Sequence, residues 1–264
     1  MTNPSAATKS GTQVVQRVAA LLRGVSSRNR IGARLIDLCT EVSIERPTAH
    51  RILQGLVSEG LIRQDEATKR YFLGSAIYEM GLVASPRTNI RDLCHPHLQQ
   101  IAQATGDTVS LTVRAGFDGV CIDRAEGAFP IKVFVLEVGK RRPLNVGGGA
   151  LAIMSFLDNN EIERIFKVNE ERCRDKYPNY SEANARKTIA RARVRGFVIS
   201  DVIELPGVRS IAAPLMDKNN HPIAGISVST LTTRMDKART ELAISCITKA
   251  LEQIQPHLLS MASD

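Results

Sequence analysis

The first quarter of the chain places its apolar residues at helical spacing. Val14, Val15, Val18, Ala19, Leu21 and Leu22 fit one helix, followed by a loop over residues 24–32. Leu35, Ile36, Leu38 and Cys39 mark a short second helix over residues 33–39, and residues 41–44 read as a turn. In the next stretch, RPTAHRILQGLVSEG, Ala49, Ile52, Leu53 and Leu56 recur at i, i+3, i+4 and i+7, and Gly60 closes the pattern. LIRQDEATKRYFLG then changes rhythm and predicts two short strands about a polar hairpin tip. Ile77, Met80, Gly81 and Val83 return to a helical pattern that breaks at Ser85–Pro86, where a domain boundary is expected.

Beyond the break, a helix is predicted over residues 89–104, ended by Gly106. DTVSLTVRA, GVCIDRAEG and IKVFVLEVG read as strands, GGALAIMSFL as a helix, and EIERIFK as a short helix. SEANARKTIARARVRG predicts a longer helix, with Ser181 as N-cap and Gly196 at its end. FVISDVI, VRSIAAPLMD and PIAGISVSTL are further strands, and a last helix is expected over residues 236–259. Strands outside parallel βαβ spacing, flanked by long helices, predict an antiparallel α+β domain.

Composition narrows the class. The 264 residues are 43% hydrophobic and 23% charged, as in globular chains rather than disordered ones. No apolar run approaches the roughly 18 residues of a membrane span, and the first residues lack a signal-peptide core. Five scattered cysteines with no CxxC suit a reducing compartment, so a cytoplasmic protein is expected. The net charge of +8 favours an anionic partner, and its distribution says more. No acid precedes Asp37, whereas Lys9, Arg17, Arg23, Arg28, Arg30 and Arg34 all do.

Helix, turn, helix and hairpin in that order describe a winged helix-turn-helix. Opposite the apolar stripe of the third helix lie Pro47, Arg51, Gln54 and Ser58, flanked by Thr48 and His50, with no carboxylate. Arginine can bond guanine bidentately and glutamine can bond adenine, so this face suits a major groove. Pro47 falls in the first turn, where its missing N–H costs nothing. Lys69 and Arg70 beside the hairpin tip would suit backbone phosphates.

In the second half, Gly147-Gly148-Gly149 ahead of an apolar helix could admit an anion to free backbone N–H groups, or could serve close helix–sheet packing. It is neither a P-loop nor a dinucleotide fingerprint, and no cofactor is expected. Ser227 and Ser229 share a strand face, and Ser210 lies on another predicted strand; they could line a polar pocket or face outward. Asp201 could accept a ligand hydroxyl or start a turn. Cys94-His95-Pro96-His97 offers metal-type ligands without an obvious partner set, so packed or exposed histidines are favoured and no metal is expected. Neither a G-x-S-x-G elbow nor H-E-x-x-H occurs, so no catalytic residues are assigned.

RPTAHRILQGLVSEGLI, KRYFLG, GSAIYEMG, GFVISDVIELPGVRSIAAPLMD and PIAGISVST together resemble the IclR family of bacterial transcriptional regulators, over about residues 13–258. Residues 1–11 read as a polar, mobile, disordered tail, and the resemblance implies a winged helix-turn-helix (12–74), a linker helix (75–88) and a GAF/PAS-like effector and oligomerisation domain (89–264). It implies a homodimer or tetramer on double-stranded promoter DNA, and a small effector, commonly a carboxylate or aromatic catabolite. The implied DNA contacts are Arg46, Thr48, His50 and Arg51. The implied pocket is Gly148, Gly149, Asp201, Ser210, Ser227 and Ser229, with Leu136, Val138 and Leu144 as apolar lining. The chain departs from the family pattern at Asn145 and Leu151, where histidine and lysine are usual, and at Glu45 and Pro47. The rival readings are an enzyme built on the C-terminal domain and a DNA-architectural protein without ligand control.

Overall fold

The computed structural model describes residues 10–84, 89–131, 133 and 137–261, and the chain divides into two compact units, Met1–Arg87 and Thr88–Asp264. The first unit runs α1 (Ser10–Ser27), α2 (Leu35–Val42), α3 (Arg46–Ser58), β1 (Ile62–Gln64), β2 (Tyr71–Leu73) and α4 (Ser75–Ala84). Leu21, Val25, Leu38, Leu53, Leu56, Ile62 and Tyr71 form its core. The helical stripe of α3 is therefore buried as its spacing requires. α1 is longer than its sequence pattern suggested, beginning inside the expected tail and ending at Ser27, because Val25 extends the stripe into the core. Ser43, in the left-handed region, ends α2 with its N–H on Thr40 O. β1 and β2 pair antiparallel, Ile62 opposite Leu73. Residues 1–9 of the expected tail, and residues 85–88 at the expected boundary, lie outside the described residues.

The second unit contains α5 (Ile90–Thr105), β3 (Thr108–Ala115), β4 (Asp118–Glu126), β5 (Arg141–Pro143), α6 (Gly148–Ser155), α7 (Asn159–Lys176), α8 (Glu182–Arg195), β6 (Val198–Asp201), β7 (Val208–Met216), β8 (Pro222–Leu231) and α9 (Lys237–Met261). Six strands form one antiparallel sheet in the order β5-β4-β3-β8-β7-β6. Alternation assigns its faces. Val109, Leu111, Ile211, Ala213, Leu215, Ala224, Ile226 and Val228 pack with α5 and α9. Ser110, Thr112, Ser210, Ala212, Ser227 and Ser229 have the opposite parity and face α6, behind which α7 and α8 close a second core around Leu144, Ile153, Ile165, Phe166 and Ile189.

Two elements differ from the sequence pattern. Ile131, Val133 and Glu137–Gly139, the described part of the expected strand over 131–139, are not in a strand. The free edge of β4 is occupied by Lys140 and β5 instead, with Cys121 N–H donating to Lys140 O and Gly119 opposite Arg142. The short helix expected at EIERIFK extends through Lys176, because Asn169 and Cys173 continue its buried stripe and Asp158 caps its start by accepting from Glu161 N–H.

Candidate nucleic-acid interface and ligand pocket

α3 presents Arg46, Pro47, His50, Arg51 and Gln54 to solvent, with Thr48 half-buried. Its first turn holds no acid, and Glu45 stands at the N-cap without a side-chain capping bond. Two other cations of this unit are neutralised: Arg28 pairs with Glu41, and Arg34 grips Asp37 through two hydrogen bonds of 2.9 Å. Arg46 and Arg51 make no hydrogen bond or ion pair among the described residues. The outer face of α3 therefore carries mobile charge where a phosphate or a guanine edge could meet it.

The hairpin beside it is rigid at its tip. Asp65 accepts from the Thr68 N–H at 2.7 Å and from its hydroxyl at 2.5 Å, which holds the Asp65 carboxyl below its ordinary range. Lys69 takes a left-handed backbone (φ 55°) and is exposed. Arg70 is not a free tip cation. Its Nη1 donates to the carbonyls of Ile31 and Gly32 at 3.2 and 3.0 Å, tying the hairpin to the loop after α1. Arg63, which the sequence reading passed over, is exposed on β1 with its guanidinium 4.4 Å from the Phe72 ring. Its position next to inward-facing Ile62 was the available signal. Gln54 reaches toward Gln64 at 3.5 Å, so the recognition face and the hairpin share a polar contact.

The glycine run opens α6 directly on the sheet. A Cβ on Gly148 would collide with Ser210, one on Gly149 would meet Thr112 Oγ1 at 2.8 Å, and one on Gly225 would overlap the Gly149 carbonyl. Close helix–sheet packing thus explains these glycines. It also gathers Gly148, Gly149, Ser210, Ser227 and Ser229 around one slot, joined by Ser110, Thr112 and Arg142. Ser229 Oγ lies 3.3 Å from Ser210 Oγ, and Ser227 Oγ lies 3.5 Å from Ser110 O. The slot measures only about 20 Å³, enough for one water-sized group. Arg142, buried and 3.3 Å from Glu204, brings a cation to it. Ser110 and Thr112 were legible as the alternate positions of DTVSLTVRA; nothing in the sequence singles out Arg142.

The other expected pocket residues are elsewhere. Asp201 is exposed, bonded to Arg209 at 2.7 Å, and lines a separate, wider cavity of about 700 Å³. Leu144 is fully buried in the α6–α7 core, while Val138 is 53% exposed on a turn. Leu136 lies outside the described residues. The Cys94–His97 run is dispersed. Burial in the α5–α9 core pushes the Cys94 thiol up to about 12. His95 Nδ1 bonds Asp123 at 2.7 Å and its Nε2 bonds Gln99 at 3.0 Å, and burial pushes His97 down. Among the described residues no group of three or more metal-ligating side chains converges, and no helix is long and apolar enough to cross a membrane.

The family model described as bacterial transcriptional regulator IclR C-terminal matches residues 83–255, and that of the IclR helix-turn-helix domain matches residues 14–66. The chain belongs to the IclR family. It is 25% identical over 224 residues to the HTH-type transcriptional regulator BhcR of Paracoccus denitrificans, covering 84% of this chain and 80% of that protein. An IclR-family transcriptional regulator from Alicyclobacillus acidocaldarius has the same fold, with a TM-score of 0.76 at 20% identity over 92% of this chain and 98% of that one. An IclR homologue from Microbacterium hydrocarbonoxydans, solved with 4-hydroxybenzoate, gives a TM-score of 0.73 at 18% identity over 93% and 98% of the two chains. The IclR architecture, a helix-turn-helix followed by a C-terminal antiparallel sheet with helices, is the architecture seen here. This member of the IclR family is accordingly a transcriptional regulator with a DNA-binding and an effector domain.

Proposed function

We propose that the protein binds double-stranded promoter DNA by laying the outer face of α3 in the major groove, and that a small organic anion in its C-terminal unit adjusts that binding to control a catabolic operon. The observation that carries the reading is the pair of unpartnered, exposed arginines, Arg46 and Arg51, on a carboxylate-free helix face. Pro47, Thr48, His50 and Gln54 complete that face, Lys69 and Arg63 lie against the DNA backbone, and Arg70 positions the hairpin. Base contacts supply sequence preference and phosphate contacts supply register.

An assembly of two copies fits the same picture. α4 buries none of its residues, and it exposes Tyr78, Met80, Leu82 and Val83. Covering these side chains with a second copy would present two recognition helices to half-sites about one helical turn apart.

For the effector, the α6 slot offers a helix N-terminus, hydroxyls from three strands and the Arg142 cation. These groups suit the head of a carboxylate, the group that 4-hydroxybenzoate carries in the Microbacterium relative. The slot as it stands admits one water-sized group, so a carboxylate entering between Gly149 and Ser229 has to lift α6 from the sheet. An effector that prefers the lifted arrangement shifts the population toward it, by no more than its differential affinity. A cytoplasmic location follows from the proposed DNA partner.

The test is a fluorescence-anisotropy titration of the full chain with duplex DNA from upstream of its own gene, with and without 4-hydroxybenzoate and related acids. Preference for that duplex over a shuffled one, lost in Arg51→Ala and changed by one of the acids, is the expected result. Equal affinity for both duplexes, falling only with salt, identifies an architectural protein instead.

A further inference from the structure

The C-terminal unit holds a much wider cavity than the slot under α6. It lies between α8 and the edge strand β6, measures about 700 Å³ and is lined by both elements and the loop after β6. One face of it is a cationic stripe. Lys187, Arg191 and Arg195 stand at i, i+4 and i+8 on α8, so successive charged stems rise about 6 Å apart along the helix. The other two arginines of that helix are engaged. Arg186 is held by Glu163 and Glu182, and Arg193 donates to Ser155 O, Leu157 O and Asn159. Lys187, Arg191 and Arg195, by contrast, make no hydrogen bond or ion pair among the described residues. The one carboxylate lining the cavity, Asp201, is already paired with Arg209.

The inner wall adds an independent observation. Asn145 is 1% exposed and lines the cavity; its amide donates to Tyr180 Oη at 2.6 Å, while its Oδ1 accepts no hydrogen bond. Ser200, also on the lining, has a buried Oγ without a partner. Buried polar atoms are ordinarily satisfied, so two such atoms on residues that line one basic cavity call for a ligand hydroxyl between them.

We infer that this cavity is a second ligand site, distinct from the α6 slot, for a small hydroxylated dicarboxylate. Its two carboxylates lie on neighbouring cations of the Lys187–Arg191–Arg195 stripe, whose spacing matches two separated anionic ends better than one. Its hydroxyl donates to Asn145 Oδ1 and accepts from Ser200. A ligand spanning α8 and β6 clamps the open edge of the sheet to the helix beside it. This gives the effector domain a second input that does not require α6 to move.

The probes are malate and succinate, which differ by the one hydroxyl the site is built to receive. Calorimetric titration of the full-length protein should show malate binding about tenfold more tightly than succinate. Arg191→Ala with Arg195→Ala, both exposed and so harmless to folding, should weaken malate at least tenfold. Asn145→Leu should bring malate and succinate to equal affinity, with thermal unfolding of the unliganded variant as the control for folding. Glycerol 3-phosphate, with both charges at one end, should bind more weakly than malate. Absence of malate binding, equal affinity for malate and succinate, or indifference to the double arginine substitution overturns the site. Arg51→Ala should keep the malate response, so the DNA reading and this one fail separately.

Discussion

The outer face of α3 and the entrance of α6 both collect polar groups beside a helix N-terminus, yet they are built in opposite ways. On α3 the groups are exposed and the arginines are left without partners. At α6 the hydroxyls are almost wholly buried, bonded among themselves, and pressed against backbone through glycines. An exposed face can change side chains at little cost to folding, because nothing packs on them. A buried slot cannot, because each added atom must displace a neighbour at crystal-like packing density. Variants on α3 should therefore report on binding, and variants at α6 on stability first.

The largest effect should come from Gly225→Val. Its side chain would occupy the space of the Gly149 carbonyl, and we expect about 3 kcal/mol or more of destabilisation. Urea unfolding followed by circular dichroism should show the transition of the C-terminal unit shifted and that of the N-terminal unit unmoved. A normal transition for both would show that α6 is not held on the sheet by these glycines.

Next in size is Arg51→Ala, expected to cost about 1–3 kcal/mol of operator affinity, roughly five- to 150-fold, with the unfolding transition unchanged. A gel-shift titration reads it directly. An affinity equal to the parent's would remove Arg51 from base recognition and erase the contrast between the two helices. Lys69→Ala should act more weakly and less selectively. Operator and shuffled DNA should lose affinity alike, and the slope of log affinity against log salt should fall by about one unit. A selective loss on the operator would move Lys69 from phosphate to base contact.

The smallest effect concerns the hairpin tip. Asp65 has its carboxyl depressed by Thr68, so the stabilisation it brings is present above the ordinary carboxylate value of 3.8 and lost as pH falls through the lower, folded one. In an NMR titration the Thr68 amide should hold its position from neutrality down to that ordinary value and move only below it. Movement at the ordinary value would show a tip as loose in solution as an unfolded chain.

The amino-acid order by itself determined the helix-turn-helix, the hairpin and the antiparallel character of the second unit. Those features follow from period and punctuation: the stripe Ala49–Ile52–Leu53–Leu56, the stops at Gly60, Gly106 and Gly196, and the N-cap at Ser181 are all local signals. The solvent face of α3 was legible for the same reason, since a helix that buries one stripe must expose the other. What the tertiary structure alone decided was which polar residues meet. Ser210, Ser227 and Ser229 came together with Ser110, Thr112 and Arg142 because strand pairing across the sheet set their register. Asp201 was carried to the α8 side, Leu144 into the core and Arg70 onto the α1 loop by the same long-range packing. Of the strand expected over residues 131–139, the described residues are not in a strand, and β5 takes the free edge of β4. Hydrophobic period is a property of neighbours along the chain, whereas a pocket is made by residues a hundred positions apart, whose meeting depends on the closure of the whole sheet.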